Sequence, residues 1–262
     1  MCFRRKVLVR LDLHGRRDAI IALLSENESL SAVDLSRRLG VSVQTLRADL
    51  RDLDEAALVQ RRNGRAQLRQ QSENIGYLPR EGIARKEKQR IALAVKNLIP
   101  DGARVALGTG TTVEQCARFL TSHKDLFVAS NSIHAVCALQ NAPGVAVELA
   151  GGPVRMRDLD MIGVAAHAFF SRYRVDYTVF SCGGVSASGS VMDYNSDEIA
   201  VRRAIVDCGK QSVLVVDSTK IGLDLACQMG HIRDFDVVVT GARLAPALLR
   251  DCRQAECRVI EV

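Results

Sequence analysis

The sequence opens without a long apolar run. Met1 to Arg10 alternates basic and hydrophobic residues too briefly for a secretory leader or a membrane span, so neither is expected. The eight cysteines, at 2, 116, 137, 182, 208, 227, 252 and 257, contain no C-x-x-C pair, and no histidine stands at metal-ligand spacing from two of them. That excludes a zinc module and a disulfide framework; reduced, mostly buried thiols in a cytoplasmic protein without metal or other cofactor are expected. Net charge is also nearly absent beyond residue 70. Residues 1–70 hold 14 Lys and Arg against 9 Asp and Glu, whereas residues 71–262 hold 22 against 21. A basic module joined to a near-neutral one predicts that only the first meets phosphates electrostatically. With 262 residues and 47% apolar content, two globular domains are expected.

The most informative stretch is Val41 to Leu53, which reads as a helix capped by Ser42. Leu46, Leu50 and Leu53 recur at i, i+4 and i+7 and so share one buried face. Gln44, Thr45, Arg47 and Arg51 are left on the others, the arrangement of a recognition helix whose N-terminal residues meet base edges while its flanks meet phosphates. Upstream, Ser31-Ala32-Val33-Asp34 fits a capping box, Val33, Leu35 and Leu39 supply a buried stripe, and Gly40 permits the turn. Arg17 to Ser25 predicts a third helix to close a small core. Downstream, Leu58 to Leu68 reads as two strands around an Asn63-Gly64 turn, a basic hairpin carrying Arg61, Arg62 and Arg65. Arg47 is expected to read sequence and Arg62 to hold phosphate.

After this head, residues 69–85 are polar with scattered glycine and proline and read as a linker. Residues 87–99 are expected to form a helix ended by Pro100. Short apolar runs then alternate with helical segments: strands at 105–107, 126–129, 145–149, 177–181, 213–217 and 237–240, helices near 112–120, 133–139, 163–171, 196–208 and 246–253. That alternation predicts a mostly parallel sheet whose ligands bind at the carboxyl ends of its strands. Those ends are rich in donors. Thr109, Gly110, Thr111 and Thr112 form a strand-to-helix turn suited to phosphate; Asn131 and Ser132 follow the next strand, Gly151, Gly152 and Arg155 the third, and Lys220 the fifth. A phosphorylated small molecule is the expected ligand. An enzyme of the same fold with a DNA-binding head is the rival reading, but Gly108 and Cys182-Gly183 stand where a loop carboxylate would serve proton transfer. Asp193, Asp197 and Glu198 remain available for it.

These motifs resemble the DeoR-type bacterial repressors. The resemblance is carried by Arg17-x-x-Ile20, by Leu30 to Asp49 with Val41-Ser42-x-x-Thr45-Leu46-Arg47-x-Asp49-Leu50, and by a wing at Arg61 to Ala66. It continues through Glu87-Lys88-x-x-Ile91-Ala92, Gly110-Thr111-Thr112, Ser130-Asn131-Ser132, Gly151-Gly152, Ile162-Gly163 and Asp217-Ser218-x-Lys220. It implies a winged helix-turn-helix at 16–68 with its helix-turn-helix at 30–49, and at 86–262 an α/β sensor domain similar to ribose-5-phosphate isomerase; composition adds a basic arm at 1–15 and the linker at 69–85. The implied activity is repression of carbohydrate or glycerol catabolism genes by a dimer or tetramer on double-stranded operator DNA, relieved by a phosphorylated sugar or polyol. Residues 99–102, 152–158 and 189–194 are most similar to family members of glycerol metabolism, which places glycerol 3-phosphate first among effectors.

Overall fold

The computed structural model describes residues 13–25, 27, 29–55, 58–68 and 77–262. The chain divides into two compact units between Arg85 and Lys86.

The first unit runs α1 (Leu13–Ser25), β1 (Leu30–Ser31), α2 (Ala32–Leu39), α3 (Val43–Glu55), β2 (Val59–Arg62), β3 (Arg65–Leu68) and α4 (Tyr77–Gly82). The three strands form an antiparallel sheet in the order β1-β3-β2. Ser31 opens α2 with a reciprocal capping box to Asp34, and Gly40 ends it at φ 66°, a left-handed turn that costs glycine little. Asn63 and Gly64, at φ 50° and 73°, close the hairpin with the positive dihedrals an Asn-Gly turn supplies. Ile20, Leu24, Leu35, Leu46, Leu50, Leu53 and Val59 make the core.

Two boundaries and one burial assignment differ from the periodic reading. α1 starts at Leu13, so its first three residues come from the stretch expected as an arm; residues 1–12 lie outside the described residues. α4 lies within the stretch expected as a linker, where buried Ile83 joins the core of the first unit; residues 69–76 lie outside the described residues. Val33, placed on the buried stripe of α2, is 47% exposed, because α2 is only eight residues long and Leu35 alone of that stripe is fully buried.

The second unit runs α5 (Arg85–Leu98), β4 (Arg104–Leu107), α6 (Thr111–Leu120), β5 (Leu126–Ser130), α7 (Ile133–Ala138), β6 (Val145–Leu149), α8 (Val164–Phe170), β7 (Val175–Phe180), β8 (Gly184–Val185), β9 (Ser190–Asp193), α9 (Ser196–Asp207), β10 (Gly209–Val216), β11 (Cys227–His231), β12 (Val237–Thr240), α10 (Pro246–Gln254) and β13 (Arg258–Glu261). Seven strands pair in parallel in the order β13-β12-β10-β7-β4-β5-β6. Alternate residues serve opposite faces. Val105, Leu107, Val128, Val213 and Val215 pack under α5, α6 and α7, whereas Ala106, Ala129, Leu214 and Val216 pack under α8, α9 and α10. Strand order reverses at β4: the chain moves outward through β5 and β6, then returns to β7 on the other side. The crevice beside β4 and β7 is therefore the topological switch point, where such sheets bind ligands. A small antiparallel sheet, β11-β9-β8, was not expected from the sequence; its strands of two to five residues are too short to show a period.

Candidate functional site

In the first unit, the Ser42 hydroxyl accepts the Thr45 backbone N–H at 3.1 Å and lies 2.8 Å from the Thr45 hydroxyl, so these two candidate residues cap the start of α3. Gln44, Arg47 and Arg51 are exposed on the same helix, as are Arg61, Arg62, Asn63 and Arg65 on the hairpin. A groove of about 410 Å³ separates the two elements. Arg47, Leu50 and Asp54 line it from α3, and Arg61, Arg62 and Arg65 from the hairpin. The guanidinium of Arg65 is engaged there, donating to the Ser29 hydroxyl at 2.9 Å and to the Ser29 carbonyl at 2.7 Å.

The leucine spacing of the recognition helix leaves Asp49 unassigned. Asp49 is 3% exposed and accepts two hydrogen bonds from the Arg16 guanidinium, at 2.5 and 2.9 Å, while Asp52 pairs with Arg17. Both ion pairs join α1 to one flank of α3.

In the second unit, four strand ends converge. After β4, Gly108 is closely packed, since a Cβ there would lie 3.3 Å from both Ile205 and Phe180 and one of them would have to shift slightly. Gly110 takes φ 111° as the residue before α6, a conformation open to glycine, and no side chain caps that helix. Thr111 and Thr112 at its start are buried, and the Thr112 hydroxyl lies 3.4 Å from Asp217, which follows β10. Asn131 and Ser132 are buried at the end of β5. The Asn131 amide donates to the Met161 carbonyl at 2.7 Å, its oxygen has no hydrogen-bond partner, and Ser132 caps α7. Gly151 and Gly152 are exposed beyond β6. Lys220 ends a one-turn 3-10 helix begun by Asp217 and lies half-buried.

Lys88 was missed by sequence reasoning. It is 3% exposed, its ammonium donates to the Thr111 hydroxyl at 3.0 Å, and it lies 3.9 Å from Asp217. The signal was present: Lys88, Ile91, Ala92 and Val95 all fall on the buried stripe of α5, which places a lysine where an aliphatic residue belongs. Burial pushes the Asp217 carboxyl up, but the Lys88 and Lys220 ammoniums and the Thr219 hydrogen bonds overcome it and hold it below the usual range.

Arg155, expected to reach an anion, is turned instead toward carboxylates. It binds Asp160 through two hydrogen bonds at 2.9 and 2.8 Å, contacts Glu198, and lies 3.4 Å from Asp158. Arg202 pairs with Asp193 at 2.9 Å beside them. Four buried carboxylates thus face two guanidiniums. Burial pushes the Asp193 carboxyl up to about 7. Burial also penalises ionised Glu198, but its hydrogen bond to Asp193 and the Arg202 and Arg155 charges hold it below the ordinary glutamate value. Among the described residues, no group of three or more His, Cys, Asp or Glu is placed to hold a metal ion, and no helix is long and apolar enough to cross a membrane.

The pattern described as DeoR-like helix-turn-helix domain matches residues 16–72, and that described as DeoR C terminal sensor domain matches residues 83–242. The chain belongs to the DeoR family. The glycerol-3-phosphate regulon repressor of Haemophilus influenzae is 34% identical over 226 residues, 86% of this chain and 88% of that protein. Its counterpart from Escherichia coli is 34% identical over 227 residues, 87% of this chain and 90% of that one. A second Escherichia coli protein, the HTH-type transcriptional repressor CsqR, is 32% identical over 243 residues, 93% of each chain. This DeoR-type protein is a transcriptional repressor rather than an enzyme. Ribose 5-phosphate isomerase from Methanocaldococcus jannaschii overlaps 53% of this chain and 55% of its own at 16% identity, with a TM-score of 0.38.

Proposed function

We propose that this DeoR-type repressor grips operator DNA through α3 and the β2-β3 hairpin, acting as a winged helix-turn-helix, and that a phosphorylated sugar or polyol bound in the second unit releases it. Ser42, Gln44, Thr45, Arg47, Arg51, Arg61, Arg62, Asn63 and Arg65 form the DNA-facing set. The observation that carries the effector half is the Lys88 ammonium on Thr111 at the uncapped N-terminus of α6, beside Asp217, whose carboxyl the Lys220 ammonium also favours in its charged form. The Lys88 and Lys220 ammoniums beside Asp217, together with donors from Thr109, Gly110, Thr111 and Thr112, favour an anionic ligand, and a phosphate dianion suits them. Asn131, with its unpartnered buried oxygen, and Ser132, Gly151 and Gly152 border the space for the rest of the ligand. Arg155 takes part only by leaving Asp160 and Glu198.

Glycerol 3-phosphate is the first ligand to test, a choice supported by the names of the two relatives at 34% identity. The deciding experiment titrates a protein–operator complex with glycerol 3-phosphate, fructose 1-phosphate, ribose 5-phosphate and their dephosphorylated forms. Release by phosphorylated compounds alone is expected, because a bare polyol brings no charge to the ammoniums and backbone donors that a phosphate engages. Equal release by both classes would overturn the site, and release by another phosphate alone would replace the ligand while keeping the mechanism.

A further inference from the structure

Two exposed arginines lie on α3, Arg51 and Arg47, the second expected from the sequence to read bases, and the structure gives them different surroundings. The phase of α3 is fixed on two sides. Leu46, Leu50 and Leu53 are buried, and the Arg16–Asp49 and Arg17–Asp52 pairs hold the flank toward α1. At about 100° per residue, with Leu46 at zero, Asp49 and Asp52 point to about 300° and 240°, whereas Gln44, Arg51 and Ala48 point to about 160°, 140° and 200°. Arg47 and Asp54, at about 100° and 80°, lie on the other flank. That flank is the wall of the groove shared with the hairpin, whose lining includes Arg47 but neither Gln44 nor Arg51.

The shapes of the two surfaces match different parts of a duplex. The outward ridge of a helix is convex and enters the major groove, which is about 12 Å wide. A crevice walled by a hairpin is concave and fits the ridges of the duplex, which are its phosphodiester strands. The crevice is also strongly cationic: four arginines line it against one carboxylate, Asp54. Arg65 is occupied by Ser29, which leaves Arg47, Arg61 and Arg62 to face the ligand.

We propose that Arg47 is a phosphate-gripping residue, forming with Arg61 and Arg62 a channel for one DNA strand, and that the sequence is read by Gln44 and Arg51 across Ala48. This deepens the DNA-binding reading above and rests on it. The division also states what each side chain must do: Arg47 supplies charge, which a lysine replaces, whereas a base-reading arginine supplies a planar fork, which a lysine does not.

The test uses the full chain and two duplexes, the tightest one that wild-type protein selects from a randomised pool and a shuffled version of it. Affinities for both are measured across a salt series. Arg47→Ala is expected to weaken both duplexes equally, keep their ratio within about twofold, and reduce the salt slope by about one. Arg47→Lys should restore most of that loss. Gln44→Ala and Arg51→Ala should lower the ratio about tenfold or more, with a larger loss on the selected duplex than on the shuffled one. An Arg47→Ala loss confined to the selected duplex, or no loss on either, would overturn the assignment while leaving the DNA-binding reading in place. Wild-type protein with no salt-dependent affinity for any duplex would overturn both.

Discussion

Lys88 stands in a buried stripe otherwise made of Ile91, Ala92 and Val95, and a buried ammonium persists only with partners. Its partners here are Thr111 and Asp217, both at the proposed phosphate site. Lys88→Met keeps the length and apolar stem but removes the charge. The variant should retain operator binding and need at least about tenfold more phosphorylated effector for release, a loss that corresponds to roughly 1.4 kcal/mol; gel shifts against wild type measure both. Asp193 supplies a pH prediction. Its carboxyl titrates at about 7 in the fold against 3.8 as its ordinary value, so the folded state holds a proton that the unfolded chain releases earlier. Its contribution is fully present below about pH 4 and is lost as pH rises through about 7. Asp193→Asn, fixed in the neutral form, should raise the melting temperature of the protein relative to wild type more at pH 8 than at pH 5. An equal change at both pH values would show that the proton is not held there.

Elements are tied together by charge in both units, and the strength of each tie follows its burial. The Arg16–Asp49 pair joins α1 to α3 with side-chain exposures of 16% and 4% and two hydrogen bonds, whereas Arg17–Asp52 does so at 30% and 50%. Asp49→Ala should therefore cost the first unit about 2 kcal/mol, since it strands a guanidinium. Asp52→Ala should cost only about 0.5 kcal/mol. Denaturant midpoints of the two variants distinguish them. In the second unit, Glu87 on α5 accepts the Ser218 N–H at 2.5 Å and its hydroxyl at 2.8 Å, holding the loop after β10 that carries Lys220. Gly241 makes room for it: a Cβ there would fall 2.1 Å from Glu87 Oε1 and 2.2 Å from Cγ. Gly241→Ala should displace that carboxylate, lower stability by about 2 kcal/mol and weaken the effector response along with it.

At the scale of the whole molecule, one recognition helix reads too few base pairs to specify an operator, and symmetric pairs of helices about 34 Å apart are the usual remedy. If this repressor binds as a dimer or tetramer, inserting about five base pairs, half a helical turn, between half-sites should abolish tight binding, and inserting about ten should restore part of it. Tolerance of both insertions would indicate that one copy acts alone. Coupling to the effector requires that the ligand favour one arrangement of the oligomer over another, and a preference of about 1–3 kcal/mol is enough to change operator occupancy.

Local chemistry determined most of the elements. The Leu46-Leu50-Leu53 spacing, the Ser31–Asp34 box, the Asn63-Gly64 turn and the aliphatic runs of β4, β5, β7, β10 and β12 are periodic or short-range signals, so the helix-turn-helix and the parallel sheet were legible before any coordinates. So were the donor-rich loops at the strand ends, because the βα alternation already assigns those loops to one edge. Which charges remain available was decided only by tertiary structure. Arg155 is taken by Glu198, 43 residues away; Asp49 is taken by Arg16, 33 residues away; and Glu87 reaches Ser218 across 131 residues. Pairings at such separations leave no period in the sequence. A side chain's charge can be read from its letter, but whether that charge is already neutralised depends on what the fold sets beside it.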